Sequence, residues 1–410
     1  MAKALLSDVD PALLAGRRVV VRCDLNVPLA DGVVTDDTRI RASLATLRYL
    51  QEHGARTVVL SHLGRPKGSV DPSASLAPVA RHLGELLGSE VAFCPDLAGC
   101  QAAEAVDALK PGQVLVLENT RFDPGETAND PELATRLADN AELFVNDAFG
   151  TAHRAHASTE GIARVVRERG GLAVAGFLLE RELAYLQGIL EAPSRPFVAV
   201  IGGSKISGKI DVIEALLPRV DRLLIGGAMA NTFFVALGLE VGDSLVEPDR
   251  VDLAGDLLER AGAKLLLPID VRVAEQIDVA AEPRVAARTE VKARERVADV
   301  GPDTERLFAD ELQGAATVLW NGPMGVFEMA PFAKGTLAIA NSAAEAADQG
   351  STVVVGGGDS VAAVEQAGVA SRLTHISTGG GASLDLLAGK TLPGVQILSE
   401  RGSLPQERAP

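Results

Sequence analysis

The fold of this 410-residue chain is most constrained by a pattern that recurs ten times along it. A short apolar run is followed by Gly, Asn or Asp and then by a stretch with helical spacing. Uninterrupted apolar strands that alternate with helices are typical of parallel sheets covered by helices on both faces. The pattern therefore predicts an α/β protein. The runs are RVVVRCDLN, TVVLSHLG, VLVLENT, LFVNDAFG, FVAVIGGSK, RLLIGGAMAN, KLLLPID, TVLWNGPMG, TVVVGGGDS and LTHISTGGG.

The number of predicted strands and the chain length both indicate two lobes, because one sheet and one core rarely extend so far. Residues 176–196 form the natural junction, since apolar residues recur there at helical spacing until APSRP interrupts them. We expect lobes at 1–182 and 183–390 that are joined by this helix. Within the second lobe, the mixed-charge segment 275–299 is predicted to be a solvated hairpin or loop.

Composition excludes several classes of partner. The formal net charge of −16 opposes general attraction to nucleic acid or to an anionic membrane. The N-terminus has acidic residues where a signal peptide has its apolar run, and no apolar stretch is long enough to cross a bilayer. The three cysteines match no C-x-x-C pattern. These features predict a cytoplasmic protein with neither nucleic-acid nor membrane partners.

Cationic side chains of the first half follow its predicted strands and helices. In parallel sheets ligands bind at the carboxyl ends of the strands. A single Arg is usually a surface ion pair, but four at such positions favour a site for a small polyanion, since guanidinium pairs bidentately with phosphate and carboxylate. The segment HRAH also permits a zinc site, although no Cys or carboxylate stands at ligand spacing. The four arginines are Arg39, Arg65, Arg121 and Arg154.

The second half has glycine-rich turns after its strands instead of arginines. One such turn has ordinary backbone explanations. Five of them after five apolar runs indicate a surface where backbone amides approach a flat ligand and its phosphates, so a nucleotide is the natural candidate. The turns are GGSKISGK, IGGAMANTF, WNGPMGVFE, GGGDS and STGGGAS.

The segment from Gly203 to Lys209 imitates a P-loop, G-x-x-x-x-G-K. A true P-loop continues with Ser or Thr to hold magnesium, whereas this chain has Ile210. We interpret the match as accidental and Ile210 as a core residue of an opening helix. Lys205 and Lys209 can still act on phosphates. The magnesium ligand must then lie elsewhere, and Asp359 is the best candidate, with a helix N-cap as the alternative role.

Taken in order, ten motifs resemble the motif series of phosphoglycerate kinases over residues 17–396. They are RCDLNVP, TRI, SHLGRP, ENTRF, NDAFGTAHRAHAS, GGSKISGKI, GGAMANTF, WNGPMGVFE, GGGDS and STGGGASL. The resemblance implies two Rossmann-like three-layer lobes with parallel sheets that face each other across a cleft. It also implies that the C-terminal tail, 391–410, returns to the first lobe.

The resemblance further implies site residues and ligands. The first lobe would bind 3-phosphoglycerate or 1,3-bisphosphoglycerate through Asp24, Asn26, Arg39, His62, Leu63, Gly64, Arg65, Arg121 and Arg154. The second lobe would bind ADP or ATP through Gly203, Lys205, Lys209, Gly227, Asn321, Pro323, Gly325, Val326, Glu328, Gly357, Gly358, Asp359 and Ser360. Glu328 would contact the ribose and Asp359 the Mg²⁺ ion.

The implied reaction is reversible phosphoryl transfer from 1,3-bisphosphoglycerate to MgADP, which gives 3-phosphoglycerate and MgATP. In the reverse direction the nucleophile is the carboxylate of 3-phosphoglycerate, which is already ionised at neutral pH, so no general base is required. Catalysis then consists of alignment and charge stabilisation after hinge closure of a monomeric enzyme. We expect the catalytic groups to be Arg39, Lys209, Gly358, Gly380 and Gly381.

Two other functions are compatible with parts of the pattern. An NAD-dependent dehydrogenase would require G-x-G-x-x-G after a strand, and GGGDSVAAVEQAG lacks that spacing. A non-catalytic nucleotide-binding scaffold would be expected to have lost Arg39, Lys209 or Asp359. All three residues are present. An assay of ATP formation from 1,3-bisphosphoglycerate and ADP separates the three functions.

Overall fold

A computed structural model describes residues 3–403, which divide into two compact units. The first unit comprises residues 3–184 and 391–403, and the second is Tyr185–Lys390. The division falls within a single helix, two residues after the boundary expected from the sequence. The C-terminal segment from residue 391 belongs to the first unit; the last residues of the expected tail, 404–410, lie outside the described residues.

The first unit is built on a six-stranded parallel sheet with the strand order β5-β6-β4-β1-β7-β8. Valine and leucine dominate its strands, and the central ones are buried on both faces, as a parallel sheet between helices requires. The strands are β1 (Arg18–Cys23), β4 (Arg56–Leu60), β5 (Val91–Cys94), β6 (Val114–Leu117), β7 (Leu143–Asp147) and β8 (Leu172–Ala175), with a short hairpin of β2 (Leu29–Ala30) and β3 (Val33–Val34) beside them.

Helices cover both faces of this sheet, and the apolar sides of α1 and α2 pack on it in the main core cluster. Ile40, Leu47 and Leu50 of α1 are fully buried against the central strands. The helices are α1 (Thr38–Glu52), α2 (Ala77–Leu87), α3 (Cys100–Asp107), α4 (Gly125–Ala128), α5 (Pro131–Ala138), α6 (Ile162–Glu168) and α7 (Phe177–Glu191), which continues into the second unit.

The second unit repeats the plan with a six-stranded parallel sheet of order β11-β10-β9-β15-β16-β17. Its strands are β9 (Phe197–Ile201), β10 (Arg222–Ile225), β11 (Leu265–Leu266), β15 (Thr317–Asn321), β16 (Thr352–Gly356) and β17 (His375–Ile376). Its helices are α8 (Ile210–Leu216), α9 (Met229–Ala236), α10 (Val251–Ala261), α11 (Pro302–Gln313), α12 (Lys334–Asp348), α13 (Gly358–Gln366) and α14 (Gly381–Leu387). Phe308 and Trp320, both fully buried, anchor its core.

The segment expected to be a solvated hairpin or loop belongs to a three-stranded antiparallel sheet of order β13-β12-β14. These strands are β12 (Asp270–Ala274), β13 (Arg284–Ala287) and β14 (Arg296–Val300). Part of the expectation holds, because residues 289–290 and 292–294 between the last two strands are exposed. However, Ala286, Val291, Glu295 and residues 298–299 are buried, so the prediction of a solvated segment was wrong for them.

The C-terminal segment is attached to the first unit by backbone and side-chain hydrogen bonds. Asn146 Nδ2 donates to the Gly394 carbonyl at 2.9 Å, and the Ser399 amide donates to the Ala173 carbonyl at 2.8 Å. The short helix α15 (Pro393–Gln396) lies in this segment. Across residues 3–403, no helix combines the length and the apolar character needed to cross a membrane.

Candidate active site

The predicted anion-site residues of the first unit lie at the carboxyl ends of four neighbouring strands. Because β6, β4, β1 and β7 are adjacent in the sheet, the loops that follow them meet at one edge. Asp24 and Asn26 follow β1; His62, Leu63, Gly64 and Arg65 follow β4; Arg121 follows β6; and Arg154 follows β7.

Hydrogen bonds join these loops to one another. The Gly64 amide donates to Asn26 Oδ1 at 2.8 Å, and Arg121 Nη1 donates to the Gly64 carbonyl at 2.6 Å. Gly64 has a φ of 63°, a left-handed conformation that favours glycine. Leu63 is buried and its carbonyl accepts from Asn119 Nδ2 at 2.7 Å, so this residue shapes the loop through its backbone.

Arg39 stands in the first turn of α1 and is held by Asp24. Its Nη1 atom lies 2.5 Å from Asp24 Oδ2, and its side chain is 36% exposed while that of Asp24 is only 7% exposed. The second oxygen of Asp24, Oδ1, is buried and has no hydrogen-bond partner among the described residues. Asp24 can therefore orient Arg39 and still accept a hydrogen bond from a ligand hydroxyl.

Like charges are concentrated at this edge of the sheet. Burial, followed by the charges of Arg22 and Arg154, lowers the pKa of Arg121. Burial and the charges of Arg22 and Arg121 also hold the pKa of His62 well below its ordinary value, so its ring is neutral at pH 7. Such crowding is unfavourable without an anion and favourable with one. A cavity of about 460 Å³ opens beside Arg65, Arg121 and Arg154.

Three buried residues under this cluster were missed as site residues by sequence reasoning. Arg22 is fully buried, and its Nε atom donates to Ser158 Oγ at 2.8 Å. Ser158 Oγ donates in turn to Glu126 Oε1 at 2.6 Å. The single usable signal was an Arg inside the apolar run RVVVRC, because a charge within a buried strand requires a partner.

In the second unit, glycine turns after three neighbouring strands contact one another directly. The Gly203 amide donates to the Pro323 carbonyl at 2.9 Å, and the Gly227 amide donates to the Met324 carbonyl at 3.1 Å. At Gly227, φ is 69°, and a Cβ atom there would lie 2.5 Å from the backbone of Gly203. Glycine is thus needed both for the conformation and for the close approach.

These turns enclose a cavity of about 280 Å³. Seven predicted nucleotide-site residues line it: Gly203, Gly227, Pro323, Gly325, Val326, Glu328 and Asp359. Lys205, Lys209, Asn321, Gly357, Gly358 and Ser360 are not part of that lining. The lining is mostly apolar, with few polar groups, which is typical of a site for a small organic ligand.

Lys209 lies between a buried amide and an acidic residue. Its Nζ atom donates to Asn321 Oδ1 at the end of β15. Burial lowers the pKa of Lys209 from 10.5 to about 8, against the opposing effect of the Asp359 carboxylate. The Nδ2 group of fully buried Asn321 has no hydrogen-bond partner among residues 3–403. Lys209 is therefore a cation with little hydration, which strengthens its attraction to phosphate.

The false P-loop has a different geometry from a phosphate cradle. The amides of Ile206 and Ser207 donate to Glu247 Oε2 at 2.6 and 3.1 Å, so these two amides already bind a carboxylate of the same unit. Gly208 has no positive φ, and a Cβ atom there would contact only the Lys205 carbonyl at 3.9 Å. Helix α8 begins at Ile210, as expected, although Ile210 is only half-buried.

Asp359 is exposed in the first turn of α13, whose N-cap is Gly357 rather than Asp359. No group of three or more His, Cys, Asp or Glu residues within 3–403 is arranged to hold a metal ion. Mg²⁺ commonly binds one or two carboxylates together with the phosphates of a nucleotide. A single exposed carboxylate on the cavity wall fits that mode of binding.

The remaining turn residues differ in what they can offer to a ligand. Ser360 is buried, and its Oγ accepts from the Gly322 amide at 2.6 Å, so its hydroxyl holds the neighbouring turn. Gly358 begins α13. Gly380 has a φ of 51° and is the N-cap of α14, which begins at Gly381. First-turn amides of helices have no partners within the helix and carry partial positive charge.

Asp299 of β14 forms part of the cavity wall and was not predicted. It accepts from the Gly335 amide at 2.8 Å and the Val300 amide at 2.9 Å. Burial raises the pKa of Asp299 to about 7. A Cβ atom on Gly325 would collide with this carboxylate, so Gly325 is required by packing as well as by any ligand.

Fold and sites together define a two-domain α/β phosphotransferase class, with an anion site on one unit and a glycine-lined cavity on the other. The sequence model described as "Phosphoglycerate kinase" matches residues 6–390. The chain belongs to the phosphoglycerate kinase family. This confirms the resemblance, the fold class and the enzyme class predicted from the sequence, and it excludes the dehydrogenase alternative.

Proteins similar to this chain over almost its whole length are named phosphoglycerate kinase. Phosphoglycerate kinase of Chloroflexus aggregans is 57% identical over 406 residues, which are 98% of this chain and 100% of that protein. The protein from Picosynechococcus is 53% identical over 401 residues, with coverage of 98% and 100%. The structure of phosphoglycerate kinase from Coxiella burnetii has a TM-score of 0.86 at 42% identity and covers 96% of this chain and 98% of its own.

Family membership also fixes the reactants. Phosphoglycerate kinases are glycolytic kinases that act on 3-phosphoglycerate and ATP and use MgATP or MgADP. The predicted substrates and the predicted Mg²⁺ are therefore confirmed at the level of the family.

The glycine turns give a prediction about nucleotide binding. Gly227→Ala should weaken MgADP binding at least about tenfold, because its methyl group would push the Gly203 turn away from the cavity. Gly238→Ala is the matched control, since Gly238 has a φ of 75° but no atom within 4 Å of its would-be Cβ. Calorimetric titration with MgADP measures both. Equal affinities in the two variants would contradict the role given to the Gly227 turn.

Proposed function

We propose that the first unit binds 3-phosphoglycerate or 1,3-bisphosphoglycerate, that the second unit binds MgADP or MgATP, and that the phosphoryl group passes directly between them in line. The observation that supports this assignment is that the two units present different binding groups. Arginines converge on four adjacent strand ends of one sheet, while backbone turns and Asp359 line the cavity of the other unit and Lys209 interacts with Asp359. The triose would use Asp24, Asn26, Arg39, His62, Arg65, Arg121 and Arg154, with the Leu63–Gly64 backbone.

Glu328 lies on the cavity wall with Val326, where an acceptor can take a hydrogen bond from a ribose hydroxyl. We assign the adenosine to this part of the cavity and the phosphates to Lys205, Lys209 and the α13 N-terminus. The buried face beside Pro323 is apolar and supports the binding of a flat base.

The chemical step needs charge stabilisation rather than acid–base catalysis. The acceptor carboxylate of 3-phosphoglycerate and the phosphates of ADP are ionised at neutral pH, so each attacks without a general base. Charge in the transition state spreads over the three equatorial oxygens of the moving phosphoryl group. Arg39 and Lys209 would neutralise it, together with the amides of Gly358, Gly380 and Gly381.

Bound Mg²⁺ supplies charge neutralisation on the nucleotide phosphates. Asp359 would hold it as the protein carboxylate. The Coulombic attraction between Asp359 and Lys209 supports this arrangement, because it keeps both charges near the same phosphates. The neutral amides of the glycine turns would leave the negative charge of the diphosphate for the metal and Lys209.

Transfer requires the two ligands to meet, since their proposed binding residues belong to separate units. We propose that helix α7, within which the units divide, is the hinge. Closure would also expel water and protect the acyl phosphate from hydrolysis. Asp147 supports the helix end, because its Oδ1 atom accepts from the Leu178 amide at 2.8 Å.

The location we propose is the cytoplasm, on the strength of the acidic composition and the glycolytic family. A relative from Volvox carteri is named chloroplastic and is 52% identical over 404 residues. Fractionation of the source cells would test this part of the proposal.

The role of Arg39 predicts a large effect on rate. Arg39→Ala should lower kcat by about 10² to 10³, the cost of removing one group that stabilises transition-state charge. Arg41→Ala is the matched control, because Arg41 lies on the same helix, is 59% exposed and pairs with Asp37 instead of Asp24. A coupled assay of ATP formation measures both variants. If Arg39→Ala kept more than about a third of the activity, Arg39 would not stabilise the transition state.

The depressed pKa of Lys209 predicts an alkaline limb in the pH profile. Lys209 is protonated below its pKa of about 8 and loses its charge as the pH rises through that value. The ratio kcat/KM for MgADP should therefore fall tenfold per pH unit well above pH 8. Lys209→Arg, which stays charged, should remove this fall even if its maximal rate is lower. A circular dichroism signal that is constant over the same range serves as the control for folding.

A profile that stayed flat to pH 10 in the unmodified enzyme would contradict the assignment of Lys209. So would an alkaline fall that persisted unchanged in Lys209→Arg.

A further inference from the structure

The feature that points beyond the substrate contacts is the fully buried guanidinium of Arg22, which lies beneath the arginine cluster. Its three nitrogen atoms have three different partners. Nε donates to Ser158 Oγ at 2.8 Å, Nη1 donates to the Cys23 carbonyl, and Nη2 lies 3.1 Å from His62 Nδ1. The guanidinium is thus fixed by three hydrogen-bond partners, one of which is the His62 imidazole of the proposed site.

The direction of the hydrogen bonds at Ser158 follows from the number of protons. The hydroxyl has one proton, and it lies 2.6 Å from Glu126 Oε1, an oxygen that can only accept when ionised. Ser158 must then accept from Arg22. The Ser158 amide donates to the other oxygen, Glu126 Oε2, at 2.9 Å. Glu126 is fully buried, so its charge compensates that of Arg22 where water cannot.

The direction of the contact between Arg22 and His62 is equally determined. A guanidinium has donors and no acceptor and stays protonated in proteins. His62 Nδ1 must therefore be the acceptor and has no proton. The ring is neutral because burial and the neighbouring arginines hold its pKa well below the ordinary value. Its one N–H group is then at Nε2.

We propose that Arg22, Ser158 and Glu126 are positioning residues that hold His62 in the Nε2–H tautomer, so that its ring donates a hydrogen bond to the anionic triose substrate. This inference rests on the proposed function for the identity of the substrate. The alternative tautomer would turn a lone pair of Nε2 toward an anion. An unrestrained neutral imidazole would distribute its proton between both nitrogens, and binding would have to select the correct form.

Nitrogen-15 NMR of the imidazole groups tests this directly in the full-length protein. The ring signals of His62 are identified by their loss in a His62→Gln variant. At pH 7 and without ligand, we expect one species with an unprotonated Nδ1 and a protonated Nε2. Addition of 3-phosphoglycerate should shift the Nε2–H signal. A protonated Nδ1 or a doubly protonated ring in the unmodified protein would overturn the proposal.

The variant Ser158→Ala tests the link to Glu126. It removes the acceptor of the Arg22 Nε–H, so both tautomers of His62 should become visible. The KM for 3-phosphoglycerate should rise in proportion to the lost Nε2–H population, about twofold if the two tautomers become equally populated. We expect kcat to stay within about twofold, because the contact is the same in the ground state and the transition state.

The matched control is Ser399→Ala. Ser399 is equally buried in the same unit, but its Oγ accepts from the Ala173 amide at 3.1 Å instead of contacting Arg22. It should keep the tautomer and the KM of the unmodified enzyme. A Ser158→Ala protein with an unchanged tautomer and an unchanged KM would exclude the positioning role. If Ser158→Ala did not fold, the spectrum of the unmodified protein would still decide the question.

The substrate assignment and the positioning of His62 can be contradicted by different results. If His62 is the Nε2–H tautomer and Ser158→Ala disturbs it, but 3-phosphoglycerate leaves the His62 signal unchanged, the substrate assignment is wrong. The positioning of His62 by Arg22, Ser158 and Glu126 would remain.

Discussion

The need to hold several like charges together before a substrate arrives constrains this structure more than any other interaction. Arginine side chains that follow four adjacent strands repel one another, and burial makes that repulsion stronger. The chain compensates with a few fixed acceptors. Asp24 pairs with Arg39. Ser158 accepts a hydrogen bond from buried Arg22 and donates one to the Glu126 carboxylate. In the proposed function, the anionic triose supplies the missing negative charge.

The second unit offers backbone groups to an anionic ligand where the first unit offers arginine side chains. Turns after β9, β10 and β15 interlock through amide–carbonyl hydrogen bonds, which only glycine permits at Gly227. The cavity wall offers backbone dipoles and Asp359, and Lys209, a poorly hydrated cation outside that lining, interacts with Asp359. In the proposed function, these groups bind the diphosphate together with the metal, so a full set of buried counter-charges is not needed.

The sequence predicted these elements unevenly, and the reasons are physical. All ten apolar runs contain a strand, and the central strands are predominantly apolar along their whole length because both of their faces are buried. The edge strands β5 and β8 were missed. β5 is only partly buried, and two of the four residues of β8 are alanines, which have low β-propensity. The antiparallel strands β12, β13 and β14 were hidden by charges that pair across their surface.

Site residues that present a side chain or a glycine turn at a strand end could be named from sequence. The buried residues that support those side chains could not be named from sequence. Glu126 is in a four-residue helix and Ser158 in a single π-helical turn, so no periodicity marks either of them as a partner of Arg22. Asp299 ends the mixed-charge segment 275–299, so the sequence did not distinguish it from the solvated charges around it. What distinguishes these groups is tertiary burial, which a linear pattern does not contain.

We propose that the arginine cluster of one unit binds the triose and that the glycine-lined cavity of the other unit binds the nucleotide. After closure, the phosphoryl group would pass directly between these two ligands. A crystal structure with 3-phosphoglycerate and a non-hydrolysable MgATP analogue tests it most directly. The account predicts the triose against Arg39 and Arg121, the metal beside Asp359, and the triose carboxylate in line with the terminal phosphate. Triose density away from those guanidinium groups, or adenosine in the first unit, would contradict it.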